Sequence, residues 1–281
     1  MQKALEDIKQ HQRDTWNKFS GGWKKWNDFT MDFLRNTGTE IIQSLKIKET
    51  DIVLDVASGT GEPAFTIAGI AKKGRVYATD LSEQMIGIAR ESAAEKKISN
   101  IEFAVADVSE LPFENNFFDK VSCRMGFMFF PDMQMAANEM FRVCKEGGSI
   151  STSVWAGPEI NNWVTTIMNI LAKNIETAPP PPGAPGMFRC AKPGLIKELF
   201  GNAGFKNVKE TAIPGKVDYG DTDTYWQMML EVAAPVVGAL SKADDSTRKK
   251  IKEELFEECN KKLTDGRLVL DYASIVISGQ K

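Results

Sequence analysis

Apolar and polar positions change rhythm along this chain. Over the first 50 residues they recur at helical spacing. Trp16, Phe19, Trp23, Trp26, Phe29 and Phe33 fall three and four apart, on one stripe of a helical surface. The Ser20-Gly21-Gly22 cluster interrupts the stripe, so the pattern predicts two short helices there rather than one long one. The stripe reads either as a helix face docked on a core or as an aromatic cover over a ligand.

From residue 51 short apolar runs alternate with amphipathic stretches. Strands are expected at Ile52–Ala57, Gly74–Asp80, Ile101–Ala106, Phe118–Cys123 and Ser149–Trp155. Helices are expected at Pro63–Lys72, from Ser82 as N-cap to Lys97, and at Met133–Cys144. The run Ile52–Ala57 is apolar except for Asp55, as suits a strand buried on both faces. Strands alternating with helices of this length mean βαβ units and a parallel sheet, hence an α/β fold. Residues 157–190 break the alternation. They hold one helical stretch, Ile160–Ile175, and a low-complexity run, Ala178–Gly186, with four consecutive prolines. Such a run favours extended polyproline backbone, either as a rigid connector or as a loop edge above a site. A helix at Lys192–Ala203, a strand at Phe205–Ile213, helices at Thr222–Leu240 and Asp245–Leu263, and a strand at Arg267–Ser278 complete the pattern.

Composition narrows the function classes. The 281 residues are 42% apolar and 26% charged, with a formal net charge of −3. That balance belongs to a globular chain and excludes collagen-like or wholly disordered ones. It argues against a protein whose main work is gripping nucleic acid electrostatically. The four cysteines, Cys123, Cys144, Cys190 and Cys259, form no C-x-x-C pair, so neither a disulfide framework nor a zinc site is expected. Cys123 and Cys144 read as buried core thiols. A single histidine, His11, leaves no material for a histidine metal site or triad. No apolar stretch approaches the roughly 20 residues that span a bilayer. The polar start MQKALEDIKQ lacks the apolar core of a secretory signal. A reduced, cytoplasmic protein is the expectation.

The chemistry gathers at the ends of the first strands. Val53 to Pro63 reads as a buried strand, then a turn with Gly59 and Gly61, then a helix start. Glycines in that turn let the backbone approach a ligand closely. The third position of the dinucleotide fingerprint is Ala64, so G-x-G-x-x-G is met only in its loosest form. Asp55, inside the strand, suits a ligand with an ammonium group and would repel a pyrophosphate. Asp80 closes the second strand about 20 residues on, where an acid bonds a ribose diol. Asp107 closes the third, where a carboxylate can accept from an exocyclic amine such as that of adenine. Arg189, beyond the proline run, reads equally as a contact for an anionic substrate and as a surface lid contact. The Asp80 position keeps two other readings in view: an NAD-dependent oxidoreductase, and a nucleotide-binding regulatory module without chemistry.

In combination these residues resemble the class I S-adenosylmethionine-dependent methyltransferases, from about residue 48 to 156. Asp55, Gly59 and Gly61 match the first motif of that family, Asp80 its ribose-binding acid, and Asp107-Val108 its adenine-binding pair. Leu111-Pro112-Phe113 with Phe118-Asp119 matches the approach to the fourth strand, and Arg142 to Gly148 the turn before the fifth. The chain looks most like the ubiquinone/menaquinone C-methyltransferase-like (methyltransferase type 11) branch. It departs from that branch at Glu146, where proline is usual, and in Cys123–Asp132, which lacks the usual asparagine. The resemblance implies a doubly wound Rossmann-like sheet of seven strands, order 3-2-1-4-5-7-6 with the last antiparallel. It implies an N-terminal helical cap over 1–47, a cofactor-binding domain over 48–281, and 157–190 as a substrate-side insertion. It places S-adenosylmethionine, with S-adenosylhomocysteine as product, on Asp55, Ala57, Ser58, Gly59, Thr60, Gly61, Asp80, Leu81, Met85, Ala106, Asp107, Val108, Cys123, Arg124 and Trp23. Trp16, Trp23 or Trp26 would offer an aromatic face to the cation. The expected activity is C- or O-methylation of a small apolar or aromatic acceptor, with no nucleic-acid partner.

Overall fold

The N-terminal aromatic stripe lies on two helices, α1 (Gln2–Lys25) and α2 (Asn27–Phe33), with Trp26 at their junction, and α3 (Arg35–Leu45) follows. The computed structural model describes residues 2–176, 181 and 183–281. Ala178, Pro179, Pro180 and Pro182 of the proline run therefore lie outside the described residues. The chain continues β1 (Ile52–Val56), α4 (Ala64–Ile70), β2 (Arg75–Asp80), α5 (Glu83–Glu95), β3 (Ile101–Val105), β4 (Phe118–Arg124), α6 (Met133–Val143) and β5 (Cys144–Trp155). It closes with α7 (Asn162–Asn174), α8 (Leu195–Ala203), β6 (Lys206–Gly220), α9 (Thr222–Val232), α10 (Ala234–Leu240), α11 (Asp245–Asn260), the two-residue β7 (Leu263–Thr264) and β8 (Arg267–Gln280). No helix among the described residues is long and apolar enough to cross a membrane.

The strands form one sheet in the order β3-β2-β1-β4-β5-β8-β6, with β7 pairing off β8. Strands β1 to β5 pair in parallel, and β8 runs antiparallel to β5, β6 and β7. Leaving β7 aside, this is the expected seven-strand order with its antiparallel last strand. Side-chain alternation divides the core between the two faces. Val53, Val76 and Ala78 pack against Ala64, Ile67 and Ala68 of α4. Ile41 and Leu45 of α3 pack on the same layer against Val276. Leu54, Val56 and Phe118 face the other way, toward Ala136, Met140 and Val143 of α6 and Phe200 of α8. Strand order reverses between β1 and β4, so the helices leaving their carboxyl ends part to opposite faces and open a crevice there.

Beyond β5 the structure departs from the pattern in two places. Strand β6 does not stop at Ile213 but runs on to Gly220, still paired with β8. Pro214 looks like a break, yet β6 is an edge strand, where a missing N–H costs no ladder bond. Gly215 sits opposite Tyr272 and makes room for its ring, which a Cβ would meet at 2.3 Å. The last pairing of β5 is Trp155 with Ser274, so residues 268–273 of β8 and 214–220 of β6 rise past the carboxyl edge of β5 as a two-stranded extension. Helices α7, α9, α10 and α11 pack on one another beside it. The expected Thr222–Leu240 helix is two, broken at Ala233, because Pro235 has no N–H to continue the helical ladder.

That break explains the other departure. Helix α1 runs straight through Ser20-Gly21-Gly22, where a break was expected. The Glu231 carbonyl has lost its helical donor at Pro235, and Gly22 packs directly on it: a Cβ at Gly22 would lie 2.0 Å from that oxygen. The glycine serves close approach of α1 to α9. Lys25 and the Trp26 indole N–H bind the Glu231 carboxylate at 2.7 Å each and complete the joint. Gly22→Ala is expected to lower stability by roughly 1–3 kcal/mol. Gly21→Ala, one residue away with open space around it, is expected to be neutral or stabilising by up to about 1 kcal/mol. Thermal unfolding of the two variants checks the contrast, and equal effects would contradict it.

Candidate functional site

A cavity of about 690 Å³ opens at the carboxyl ends of β1 to β4. Its floor is the turn after β1. Ala57 has φ +54° and Gly61 φ +118° there, and a Cβ on Gly61 would strike the Phe65 ring at 2.0 Å. Only glycine fits both that backbone and that neighbour. The turn brings the Gly59 N–H to Asp80 at the end of β2, where it donates to Oδ2 at 2.9 Å. The Ser82 N–H donates to Oδ1 at 2.8 Å. Asp80 is 9% exposed, and burial raises its carboxyl pKa against the pull of these backbone donors. The acid thus holds the turn in place while its remaining lone pairs border the cavity.

Asp107, after β3, also lines the cavity. Its Oδ1 accepts from the Ser109 N–H at 2.9 Å and hydroxyl at 2.7 Å, and its Oδ2 meets Lys9 Nζ of α1 at 3.2 Å. Burial alone would raise this carboxyl, but the Ser109 and Lys9 donors outweigh it and hold it below its ordinary value. Helix α1 is fastened to α5 further along. Asn17 Oδ1 accepts from the Ser82 hydroxyl at 2.6 Å, Ser82 itself N-caps α5 through the Met85 N–H at 3.1 Å, and Lys24 pairs with Glu91 at 2.7 Å.

Of the residues expected at the cofactor, Ala57, Ser58, Gly59, Thr60, Asp80, Leu81, Met85, Ala106, Asp107, Val108, Arg124 and Trp23 all line this one cavity. Three do not. Gly61 is backed by Phe65. Cys123 is fully buried, with its sulfur packed on the Gly126 turn and its thiol pushed up to about 12 by burial. Asp55 is fully buried beneath the turn and does not reach the cavity wall. Its Oδ1 takes a 2.6 Å hydrogen bond from the Ser122 hydroxyl, tying β1 to β4, and its Oδ2 has no partner among the described residues. Burial pushes its carboxyl up to about 7. The ammonium contact expected of Asp55 is therefore closed off by the turn that was expected to serve it.

The far wall is apolar and aromatic. Trp16 and Trp23 stand 6.2 Å apart edge to face, and Phe129 stands 5.0 Å from Trp16. Phe33, Trp155 and Trp163 form a second cluster with centroids 4.9–5.8 Å apart. Met31, Met187 and Met228 fill between them. The N-terminal stripe is thus divided: Trp16, Phe19, Trp23 and Phe33 line the cavity, while Trp26 and Phe29 pack away from it, on Glu231 and Tyr219. Arg189 does not reach the cavity. Its guanidinium donates to the carbonyls of Phe130 and Pro131, fastening the end of the 157–190 insertion to the loop after β4. Sequence reasoning missed Lys9 and Glu62 as lining residues. Glu62 adjoins Gly61 and was open to discovery from the turn alone, whereas nothing local marks Lys9.

The residues present fit a nucleoside cofactor carrying a flexible tail. An acid held at the end of β2 suits a ribose diol, Asp107 beside Met85 and Val108 suits a base with an exocyclic amine, and the glycine turn leaves room for a tail. A family model described as a methyltransferase domain matches residues 53–148. A demethylmenaquinone methyltransferase from Listeria monocytogenes is 33% identical over 125 residues, which are 44% of this chain and 53% of that protein. The chain thus spans about half the length of the curated relatives it matches. Among solved structures, the YcgJ protein of Bacillus subtilis superposes with a TM-score of 0.60 at 18% identity, over 88% of this chain and 98% of that one. A phosphoethanolamine N-methyltransferase of Haemonchus contortus, solved with S-adenosylhomocysteine, gives 0.53 at 18% identity, over 88% and 52%. At these identities the superpositions speak for the fold.

Proposed function

We propose, from the premise that residues 53–148 are a class I methyltransferase domain, that the chain is an S-adenosylmethionine-dependent methyltransferase acting on a small apolar or aromatic acceptor. The observation that carries this reading is the convergence of Asp80, Asp107 and the Gly59–Gly61 turn on a cavity whose other wall is aromatic. Asp80 would hold the ribose hydroxyls. Asp107, Met85 and Val108 would hold the adenine. Bound S-adenosylmethionine supplies an already activated methyl group. The protein's task is then to align acceptor and donor and to keep water away. Trp16 and Trp23 face the cavity and favour a cation at their rings. The clusters around Phe33 and Trp155 exclude water and shape a pocket for a flat apolar ring, of the kind the demethylmenaquinone relative's name implies. Methyl transfer to carbon or oxygen fits that shape.

Hydrogen exchange with and without S-adenosylhomocysteine tests the arrangement, because it reads local opening directly. Residues 10–35 and 157–190 are expected to exchange more slowly with the ligand bound, and more slowly still when an apolar aromatic acceptor is added. Equal exchange in all three conditions would reject the cover. Binding of NAD in place of S-adenosylhomocysteine would reject the cofactor.

A further inference from the structure

Where β8 outruns β5, a side chain stands in for the missing strand. The Ala156 N–H donates to the Ala273 carbonyl at 3.0 Å, and the next bond of that ladder would run from the Ala273 N–H to the Ala156 carbonyl. The Asn161 amide is inserted between those two groups. Its Oδ1 accepts from the Ala273 N–H at 3.1 Å, and its Nδ2 donates to the Ala156 carbonyl at 3.1 Å. Oδ1 also accepts from the Trp163 indole N–H at 3.2 Å, and Nδ2 also donates to the Gly157 and Ala273 carbonyls at 2.9 and 3.2 Å. Two donors thus meet one end of the amide and three carbonyls the other, a division that a primary amide serves. Asn161 is fully buried. It stands at the N-cap of α7 yet makes no side-chain cap bond there, where asparagine ordinarily holds the first turn.

The segments joined in this way carry one aromatic group. Ala156 follows Trp155, Asn161 bonds Trp163 itself, and Ala273 follows Tyr272, whose ring stands 4.7 Å from Phe33 and 6.2 Å from Trp155. Phe33, Trp155 and Trp163 line the cavity, while Asn161 and Tyr272 do not reach it. With its N–H taken up by Asn161, Trp163 offers the cavity carbon surface alone. We propose that Asn161 is a positioning residue for the methyl acceptor: it holds Trp155 and Trp163 at the angle at which a flat aromatic ring seats against them, and it touches neither ligand. This role rests on the methyltransferase reading above. Contacts between aromatic rings depend on offset and tilt, so a wall fixed from behind favours one orientation of the acceptor ring over others.

Titration calorimetry with two probes tests the role: S-adenosylhomocysteine, and 1-naphthol, a flat apolar ring, added to protein already saturated with S-adenosylhomocysteine. Asn161→Ala is expected to weaken naphthol binding about fivefold to fiftyfold, as the misplacement of two aromatic contacts does. Its affinity for S-adenosylhomocysteine is expected to stay within about twofold of the parent protein, since the nucleoside end shares no partner with Asn161. Asn161→Asp keeps an oxygen for Ala273 and Trp163 and gives up donors, so it should fall between the two and stay folded even where the alanine variant does not. Ser151→Ala loses the 2.8 Å bond to Ser44 in the body of β5; it should unfold more easily and leave both affinities unchanged. Unchanged naphthol affinity in the Asn161 variants overturns the role. An equal loss for both probes overturns it too, and so does an equal loss in Ser151→Ala, because either marks a general loosening of the fold. A parent protein that binds S-adenosylhomocysteine and not naphthol also overturns it, because the wall then seats no flat ring. If the parent protein binds neither probe, the cofactor reading itself falls, and the role with it.

Discussion

Asp80→Ala is expected to cost the protein both its cofactor and part of its stability. The carboxylate accepts from the Gly59 and Ser82 N–H groups, at 2.9 and 2.8 Å, and both donors lose their partner in the variant. Leaving a buried donor unsatisfied costs about 1–3 kcal/mol, so stability should fall by roughly 2–4 kcal/mol. Affinity for S-adenosylhomocysteine should fall about tenfold to a hundredfold, because the ribose partner is gone and the turn below it is loosened. Asp80→Asn separates the two effects. Its amide oxygen still accepts one backbone N–H, so it should unfold closer to the parent protein while binding the ligand weakly. Calorimetric titration and urea unfolding read the two quantities. Unchanged affinity in both variants would show that the ribose is not held here.

Asp55→Asn is expected to change how stability depends on pH. In the folded protein burial pushes the Asp55 carboxyl up to about 7, with Ser122 and Arg124 pulling down and Glu62 pushing up. In the unfolded chain it titrates near 3.9. The fold therefore prefers the protonated form. This stabilising contribution is complete below about pH 4 and is lost as pH rises through about 7. The loss is on the order of 4 kcal/mol by linkage. Asparagine keeps the Ser122 contact and has no proton to lose. The variant should therefore gain on the parent protein from about pH 4 to about pH 7 and level off above that. Asp80, raised in the same direction, is present in both proteins and cancels from the difference. Parallel stability curves for the two proteins would show that Asp55 is ionised in the fold at no cost.

The parts of this structure legible in the sequence are those where one physical demand dominates. Strands β1, β2, β4 and β5 are covered on both faces, so their apolar runs are nearly continuous and stand out. The acids at the ends of β2 and β3 follow from the same topology, because strand ends in a parallel sheet converge on one edge. What stayed hidden depends on contacts made across the chain. Gly22 reads as a helix breaker until Glu231 is seen against it, and Pro214 reads as a strand end until β6 proves to be the edge. Asp55 reads as a ligand because the spacing of a turn does not reveal which side chains lie under it. Lys9 sits in an ordinary run of helix polarity, and only the docking of α1 brings it to Asp107.

The extension of β6 and β8 past the edge of β5 divides the cavity's walls by their origin in the chain. Asp80, Asp107, Met85, Val108 and the glycine turn come from one uninterrupted stretch, Val56 to Val108, with Lys9 of α1 set against Asp107. Met228, Val232, Ala233, Ala234, Pro235, Val237, Gly238 and Ser241 of the opposite wall all come from the connection between β6 and β8, mounted on the extension. That connection begins and ends on strands that pair with each other, from Gly220 opposite Leu268 down to Lys206 opposite Gln280. Substitutions within residues 221–262 therefore reshape the wall that faces the turn after β1 and leave the turn's own hydrogen bonds to Asp80 in place.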